Sequence, residues 1–162
     1  MGIFSSLKDK ILLGDRADEN DGREEMRTEF LISLGVLLWI VAESDSKFLP
    51  QEQEQIEKVL VECGEIGEDD MPIVLRAVEE ANIMRVDVHS FTKEIRKVLE
   101  REARIGLVEQ LFRVGCVDGD LAGAEHEMIR KITDLLGLDH KEFIDAKIKI
   151  KREFGLKTIE PQ

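Results

Sequence analysis

Cysteine, proline and aromatic residues are all scarce in this chain, and each scarcity excludes a class of protein. The 162 residues include two cysteines, three prolines, one tryptophan and no tyrosine. Cys63 and Cys116 lie far apart in the sequence and form no C-x-x-C pair, so neither a disulfide framework nor a zinc site is indicated. The simplest interpretation is two buried thiols that pack as small apolar side chains.

Positive charge is also in short supply. The chain has 23 lysines and arginines against 35 aspartates and glutamates, which gives a net charge of −12. A surface of this charge repels phosphate, so we expect no binding of nucleic acid through a broad basic face. Divalent cations and basic partners match the charge better.

Long apolar runs are missing too. The longest, residues 34–42, falls well short of the roughly 20 residues of a membrane-spanning helix. No signal peptide is visible at the amino terminus. We therefore expect a cytoplasmic protein with no transmembrane segment.

The pattern that the chain does have is helical. Hydrophobic residues make up 43% and charged residues 36% of the sequence, and no stretch shows strand-like alternation or a hairpin signal. Apolar residues instead recur at helical spacing, which predicts an all-α, compact bundle of about seven helices. The predicted helices cover residues 23–43, 50–63 and 72–81, a stretch from about Ser90, a fifth through Leu107 and Val114, then 123–136 and 139–154.

Composition divides the chain into three parts. Residues 1–22 join a short amphipathic segment, 1–13, to an acidic linker. We predict one helical domain over residues 23–155 and a tail at 156–162. The amphipathic segment either docks on the domain or makes a peripheral contact with a membrane or a protein partner.

The two halves of the predicted bundle look like copies of one helix–turn–helix unit. Residues 73 positions apart match without a gap over about thirty residues. A matching turn, matching carboxylates and a matching terminal glycine together indicate duplication, and two such units usually pack about an approximate two-fold axis. The matched pairs include Leu34 and Leu107, Asp45 and Asp118, Glu52 and Glu125, and Gly64 and Gly137.

The acidic residues of the two bends are the candidate functional site. Glu52 and Glu125 each begin the apolar stripe of a helix, so each carboxylate lies at the core-facing side and needs compensation. One possibility is capping of free backbone N–H groups, with Asp45 and Asp118 capping the turns. The other is a divalent cation, Ca²⁺, Mg²⁺ or Mn²⁺, shared by these four carboxylates, with Asp120 as a less favoured ligand.

Two further interpretations are rejected. The run from Asp118 to Glu125 fits the later positions of an EF-hand loop, but Val114 and Cys116 would then be the first and third ligands, and their side chains carry no oxygen. No nucleophile–histidine arrangement, P-loop or H-E-x-x-H motif supports catalysis, so we expect no enzyme. His126 lies beside the carboxylates, and we expect a surface histidine there rather than a ligand.

These features resemble the TerB tellurite-resistance family, whose fold also forms the amino-terminal domain of DjlA-type co-chaperones. The match is strongest over residues 114–138, where an apolar helix leads through the bend at 118–121 and Glu125 into a second apolar helix. The first bend departs from the family pattern because Ser46 stands where glycine is usual. The resemblance covers about residues 24–154.

The resemblance carries expectations that composition and spacing do not. It implies a compact helical fold in the bacterial cytoplasm, an acidic centre that binds a divalent metal, and a role in resistance to tellurite or other chemical stress. It also implies an integral membrane partner of the TerC type and action at the inner face of the cytoplasmic membrane. The alternative is a metal-free protein–protein adaptor or co-chaperone-type domain whose carboxylates only cap helices, since fold alone does not settle function.

Overall fold

The computed structural model describes residues 21–44, 48–64, 66–84, 87–117, 119, 121 and 123–157. Every regular element in these ranges is an α-helix, which confirms the predicted all-α fold of about seven helices. The helices are α1 (Asp21–Glu43), α2 (Pro50–Gly64), α3 (Met71–Ile83), α4 (Val88–Val98), α5 (Arg101–Cys116), α6 (Gly123–Leu135) and α7 (His140–Glu153).

Local signals set several of the helix ends. The Asp139 carboxylate accepts from the Glu142 N–H, and the Glu142 carboxylate accepts from the Asp139 N–H, both at 2.9 Å, so a capping box begins α7. Pro72 lies in the first turn of α3, as predicted. The start of α4 differs from the prediction near Ser90: the helix begins at Val88, because Asp87 accepts a hydrogen bond from the His89 N–H and caps it.

The helical backbone is interrupted at the junction between α4 and α5. Leu99 and Glu100 have extended backbones, with ψ angles of 133° and 170°. The chain changes direction there, so α4 packs on α1 and α6, while α5 packs on α1, α2, α6 and α7.

Helix α1 is the centre of the bundle. It packs against α2, α3, α4, α5 and α6. Apolar residues at helical spacing predict burial on one side of a helix, but all eight residues from Leu31 to Leu38 are buried, including Ile32, Ser33 and Val36. A helix that is apolar on nearly every side is a core helix.

The bounds of the helices follow the 73-residue offset around both bends. Helix α1 ends at Glu43 and α5 ends at Cys116, while α2 begins at Pro50 and α6 at Gly123. Contacts also cross between the halves in matching fashion, α1 with α6 and α2 with α5. The duplication and its two-fold axis stay predictions, as do the boundaries of the domain at residues 23 and 155.

Candidate functional site

The two glutamates of the predicted site occupy the same position in their helices. Glu52 is the third residue of α2 and Glu125 the third residue of α6, and each is only 2% exposed. They are two of the five polar or charged residues that are buried among the described residues. The three predicted aspartates, Asp45, Asp118 and Asp120, lie outside the described residues.

Glu52 caps its own helix. Its Oε1 accepts a hydrogen bond from the Leu49 N–H at 2.9 Å, and the Leu49 carbonyl accepts from the N–H groups of Glu52 and Gln53. Leu49 is therefore the N-cap residue, and its apolar side chain cannot accept a hydrogen bond from the first turn. The glutamate supplies the reciprocal half of a capping box and places negative charge at the positive end of the helix dipole. A carboxylate has further acceptor sites, so this bond does not use up its capacity for a cation.

Glu125 lies where two helices approach closely. A Cβ atom at Gly115, in the last turn of α5, would be 2.7 Å from Leu121 Cδ1, 3.6 Å from Ile129 Cδ1 and 3.9 Å from Glu125 Cβ. The missing side chain at Gly115 thus lets α5 pack against the first turn of α6. Sequence reasoning missed this role of Gly115, although the glycine lies among the buried apolar residues at the end of α5.

The aromatic pair beside the first bend holds the end of α1 in place. The rings of Trp39 and Phe48 are 4.5 Å apart, on either side of the segment that contains Asp45. Trp39 Nε1 donates to Glu43 Oε1 at 2.8 Å, and Asn82 Nδ2 of α3 donates to Glu43 Oε2 at 2.9 Å. The only tryptophan of the chain therefore contacts both flanks of this bend.

His126 is half-buried between α6 and α7, not the surface histidine that the sequence suggests. Its Nε2 lies 3.1 Å from Lys147 Nζ, and its ring meets Phe143 edge to face at 5.2 Å. Burial and then the Lys147 charge hold the pKa of His126 below its ordinary value. Burial likewise lowers the pKa of Lys147, with Lys151 adding to the effect. A neutral imidazole that accepts from Lys147 is not free to bind a metal through Nε2.

The described residues alone do not build a metal centre. Within the described ranges, no three His, Cys, Asp or Glu side chains lie close enough to hold an ion together. Cys116 is buried and not in a disulfide. Convergence of the four predicted carboxylates therefore stays a prediction, and it depends on Asp45 and Asp118.

Comparison with known proteins decides the family. The family model described as tellurite resistance protein TerB matches residues 31–148, which is more than half of the chain. The chain belongs to the TerB family. The match runs from the second half of α1 to residue 148 within α7, and so includes both bends. No curated protein and no solved structure matches the chain.

The helices of this TerB domain differ from membrane-spanning ones. None of those in the described ranges combines the length and the apolar run that a bilayer crossing requires.

Proposed function

We propose that this TerB domain is a non-enzymatic stress-response module, of the tellurite-resistance type, that binds a divalent cation at the acidic bends. The observation that carries the proposal is the burial of Glu52 and Glu125 at the third position of α2 and α6, each only 2% exposed, in a chain of net charge −12. A buried carboxylate is costly unless it is paired or bound to a metal.

The proposed ligands are Asp45, Glu52, Asp118 and Glu125, with Asp120 as a less favoured one. Carboxylate oxygens are hard donors, so the cation is Ca²⁺, Mg²⁺ or Mn²⁺ with water in the remaining positions. We propose no catalytic residue. His126 is the histidine nearest in sequence to these ligands, and its Nε2 already lies within hydrogen-bond distance of Lys147 Nζ.

Thermal unfolding with each cation tests the proposal. Millimolar Ca²⁺, Mg²⁺ or Mn²⁺ should raise the melting midpoint, because a ligand of the folded state stabilises it by mass action. Trp39 fluorescence should change over the same cation range, because its ring contacts Phe48 beside the first bend.

A matched pair of variants gives the control. Glu125→Gln should abolish both responses, whereas Glu127→Gln, two residues later on the exposed surface, should retain them. Equal responses in the two variants, or no response of the unaltered protein to any of the three cations, would contradict the proposal.

The second candidate is a metal-free adaptor of the co-chaperone type, and the bond between Glu52 and the Leu49 N–H favours it. That bond shows that one of the carboxylates already has a structural role without an ion. In this alternative the acidic surface and residues 1–13 bind a protein partner, for which an integral membrane protein of the TerC type is the family's precedent, at the inner face of the cytoplasmic membrane.

A further inference from the structure

The carboxyl-terminal end of α6 is held by two arginines from other helices. A helix leaves its last four carbonyl groups without intrahelical partners. Here the Leu138 N–H donates to the Thr133 carbonyl and the Gly137 N–H to the Asp134 carbonyl, which is the Schellman arrangement around a glycine of positive φ (+78°). The other two carbonyls accept from side chains: Arg96 Nη1 donates to Leu135 O at 3.5 Å, and Arg104 Nη1 donates to Leu136 O.

The two guanidinium groups lie side by side over Gly137. A Cβ atom on that glycine would be 3.2 Å from Arg104 Nη1 and 3.2 Å from Arg96 Nη2. Two full positive charges therefore face a helix end that supplies only about half a negative charge. Each guanidinium has five N–H donors, and each uses one of them here.

Neither arginine has a carboxylate partner among the described residues. By contrast, Arg101 pairs with Glu142 and Asp139, Arg113 with Glu153, and Arg130 with Glu127. Arg104 Nε is also buried and lacks any acceptor in the described part of the chain. Although the chain has 35 acidic residues, the two guanidinium groups beside Gly137 thus have no carboxylate counterion among the described residues.

Termination of the helix does not explain the pair. Helix α7 ends in the same arrangement, with Leu156 N–H bonded to Lys151 O, Gly155 N–H bonded to Arg152 O and φ +70° at Gly155. No atom of the described residues lies within 4 Å of a Cβ built on Gly155. The motif is therefore complete at α7 without a guanidinium over its glycine, and the two arginines at α6 require another reason.

We propose that Arg96 and Arg104 form a binding site for a small oxyanion, with phosphate or sulfate as the chemical class. Planar guanidinium groups match the oxygen spacing of such anions, and hydrogen bonds between opposite charges are about twice as strong as neutral ones. A bound oxyanion neutralises both cations and uses the free donors of Arg96, which is exposed. Because Arg96 lies near the end of α4 and Arg104 near the start of α5, a bound oxyanion links both helices to the loop between α6 and α7.

The test is a phosphate titration of the full chain, followed by the backbone amide resonance of Gly137. Millimolar phosphate, compared with sodium chloride at equal ionic strength, should shift this resonance saturably and raise the melting midpoint. Arg96→Gln should weaken the phosphate affinity by about tenfold, because one charge-assisted contact is lost. Its own bond to Leu135 is long and its side chain exposed, so the variant is expected to fold.

Arg101→Gln is the matched control, since Arg101 begins α5, the helix that carries Arg104, but is already neutralised by Glu142. This variant should bind phosphate as the unaltered protein does. General stabilisation by excluded salts would raise the midpoint of all three proteins equally and would not saturate the Gly137 shift. That result, or undiminished phosphate affinity of Arg96→Gln, would overturn the proposal and leave the arginines as helix caps.

Discussion

The Glu52 side chain has an observed role, capping of α2, and a proposed one, binding of a cation. Its bond to the Leu49 N–H requires only an acceptor oxygen, whereas a cation requires the negative charge. A glutamine at this position keeps the acceptor and removes the charge. An alanine removes both, so the two substitutions measure different things.

Glu52→Ala should lower the free energy of unfolding by about 1 kcal/mol, the usual cost of a lost amino-terminal cap. Glu52→Gln should cost less in the absence of cations but should remove the cation response proposed above. Urea unfolding followed by circular dichroism measures the first effect. Glu54→Ala, two residues later and exposed, is the control and should change stability little. A loss as large as that of Glu52→Ala would mean that the cap is not the cause.

His126 makes stability depend on pH at the α6–α7 contact. Since its pKa in the folded protein is below the ordinary value of about 6.5, the unfolded chain binds the proton first as the pH falls. Its stabilising contribution is present above about pH 6.5 and is lost as the pH falls through the folded-state pKa. Protonation also places an imidazolium 3.1 Å from Lys147, with Lys151 adding repulsion and Glu127 opposing it.

His126→Gln should therefore flatten the decline of the melting midpoint between about pH 7 and pH 5, the range in which an ordinary histidine titrates. Thermal melts across this range measure the slope, and His140→Gln serves as a control because His140 is exposed. An identical decline in His126→Gln and the unaltered protein would assign the pH dependence to other groups.

At the scale of helices, α5 is the second organising element after α1. It runs parallel to α7, because three ion pairs join residues at a nearly constant separation: Arg101 with Glu142, Glu109 with Lys149 and Arg113 with Glu153. The last pair is bidentate, at 2.8 and 2.9 Å, and its hydrogen bonds lower the pKa of Glu153. Such exposed pairs fix the register of the two helices more than they add stability.

The two described glycines within α5 should respond to alanine in opposite directions. Gly115→Ala places a methyl group 2.7 Å from Leu121 Cδ1, so Leu121 must move, and we expect a loss of about 1–3 kcal/mol. Gly106→Ala meets no atom of the described residues within 4 Å and should stabilise the helix by about 0.5–1 kcal/mol. Chemical denaturation of both variants measures the difference, and a Gly115→Ala protein as stable as Gly106→Ala would show that the α5–α6 contact is not tight.

What the sequence predicts at this scale depends on how local the cause is. The capping box of Asp139 and Glu142 lies within four residues and is visible in the sequence. The burial of Ile32, Ser33 and Val36 results from the packing of other helices, α2 to α6, around α1, which no local pattern encodes. The contacts of Arg96 and Arg104 with the end of α6 are unpredictable for the same reason.

In the candidate site too, the sequence predicts what depends on neighbouring residues and not what depends on packing between helices. Spacing alone placed Glu52 and Glu125 at the third position of their helices, because a helix start depends on a few neighbouring residues. Spacing does not show that His126 Nε2 contacts Lys147 Nζ, because Lys147 lies on another helix, α7. Whether the carboxylates of the two bends meet depends on the packing of the two halves, which the repeat predicts only in outline.

For the whole molecule, the amino-terminal segment distinguishes the two candidate functions. A variant that lacks residues 2–13 should melt at nearly the same temperature and keep its cation response, because the family match begins later, at residue 31. If the protein is an adaptor, the same variant should lose its association with bacterial inner-membrane vesicles in a sedimentation assay. Association that survives the deletion would exclude this segment as the contact.

The central position of α1 gives the two ends of the chain unequal mechanical roles. Residues 1–20 lead directly into the helix that packs against five others, whereas the carboxyl-terminal tail follows α7, which packs on α5 and α6. A pull on the amino terminus therefore acts on the core of the bundle, and a pull on the carboxyl terminus acts on one outer helix. When the protein is attached to a surface, a tether placed after residue 157 therefore puts less force on the core than a tether at the amino terminus.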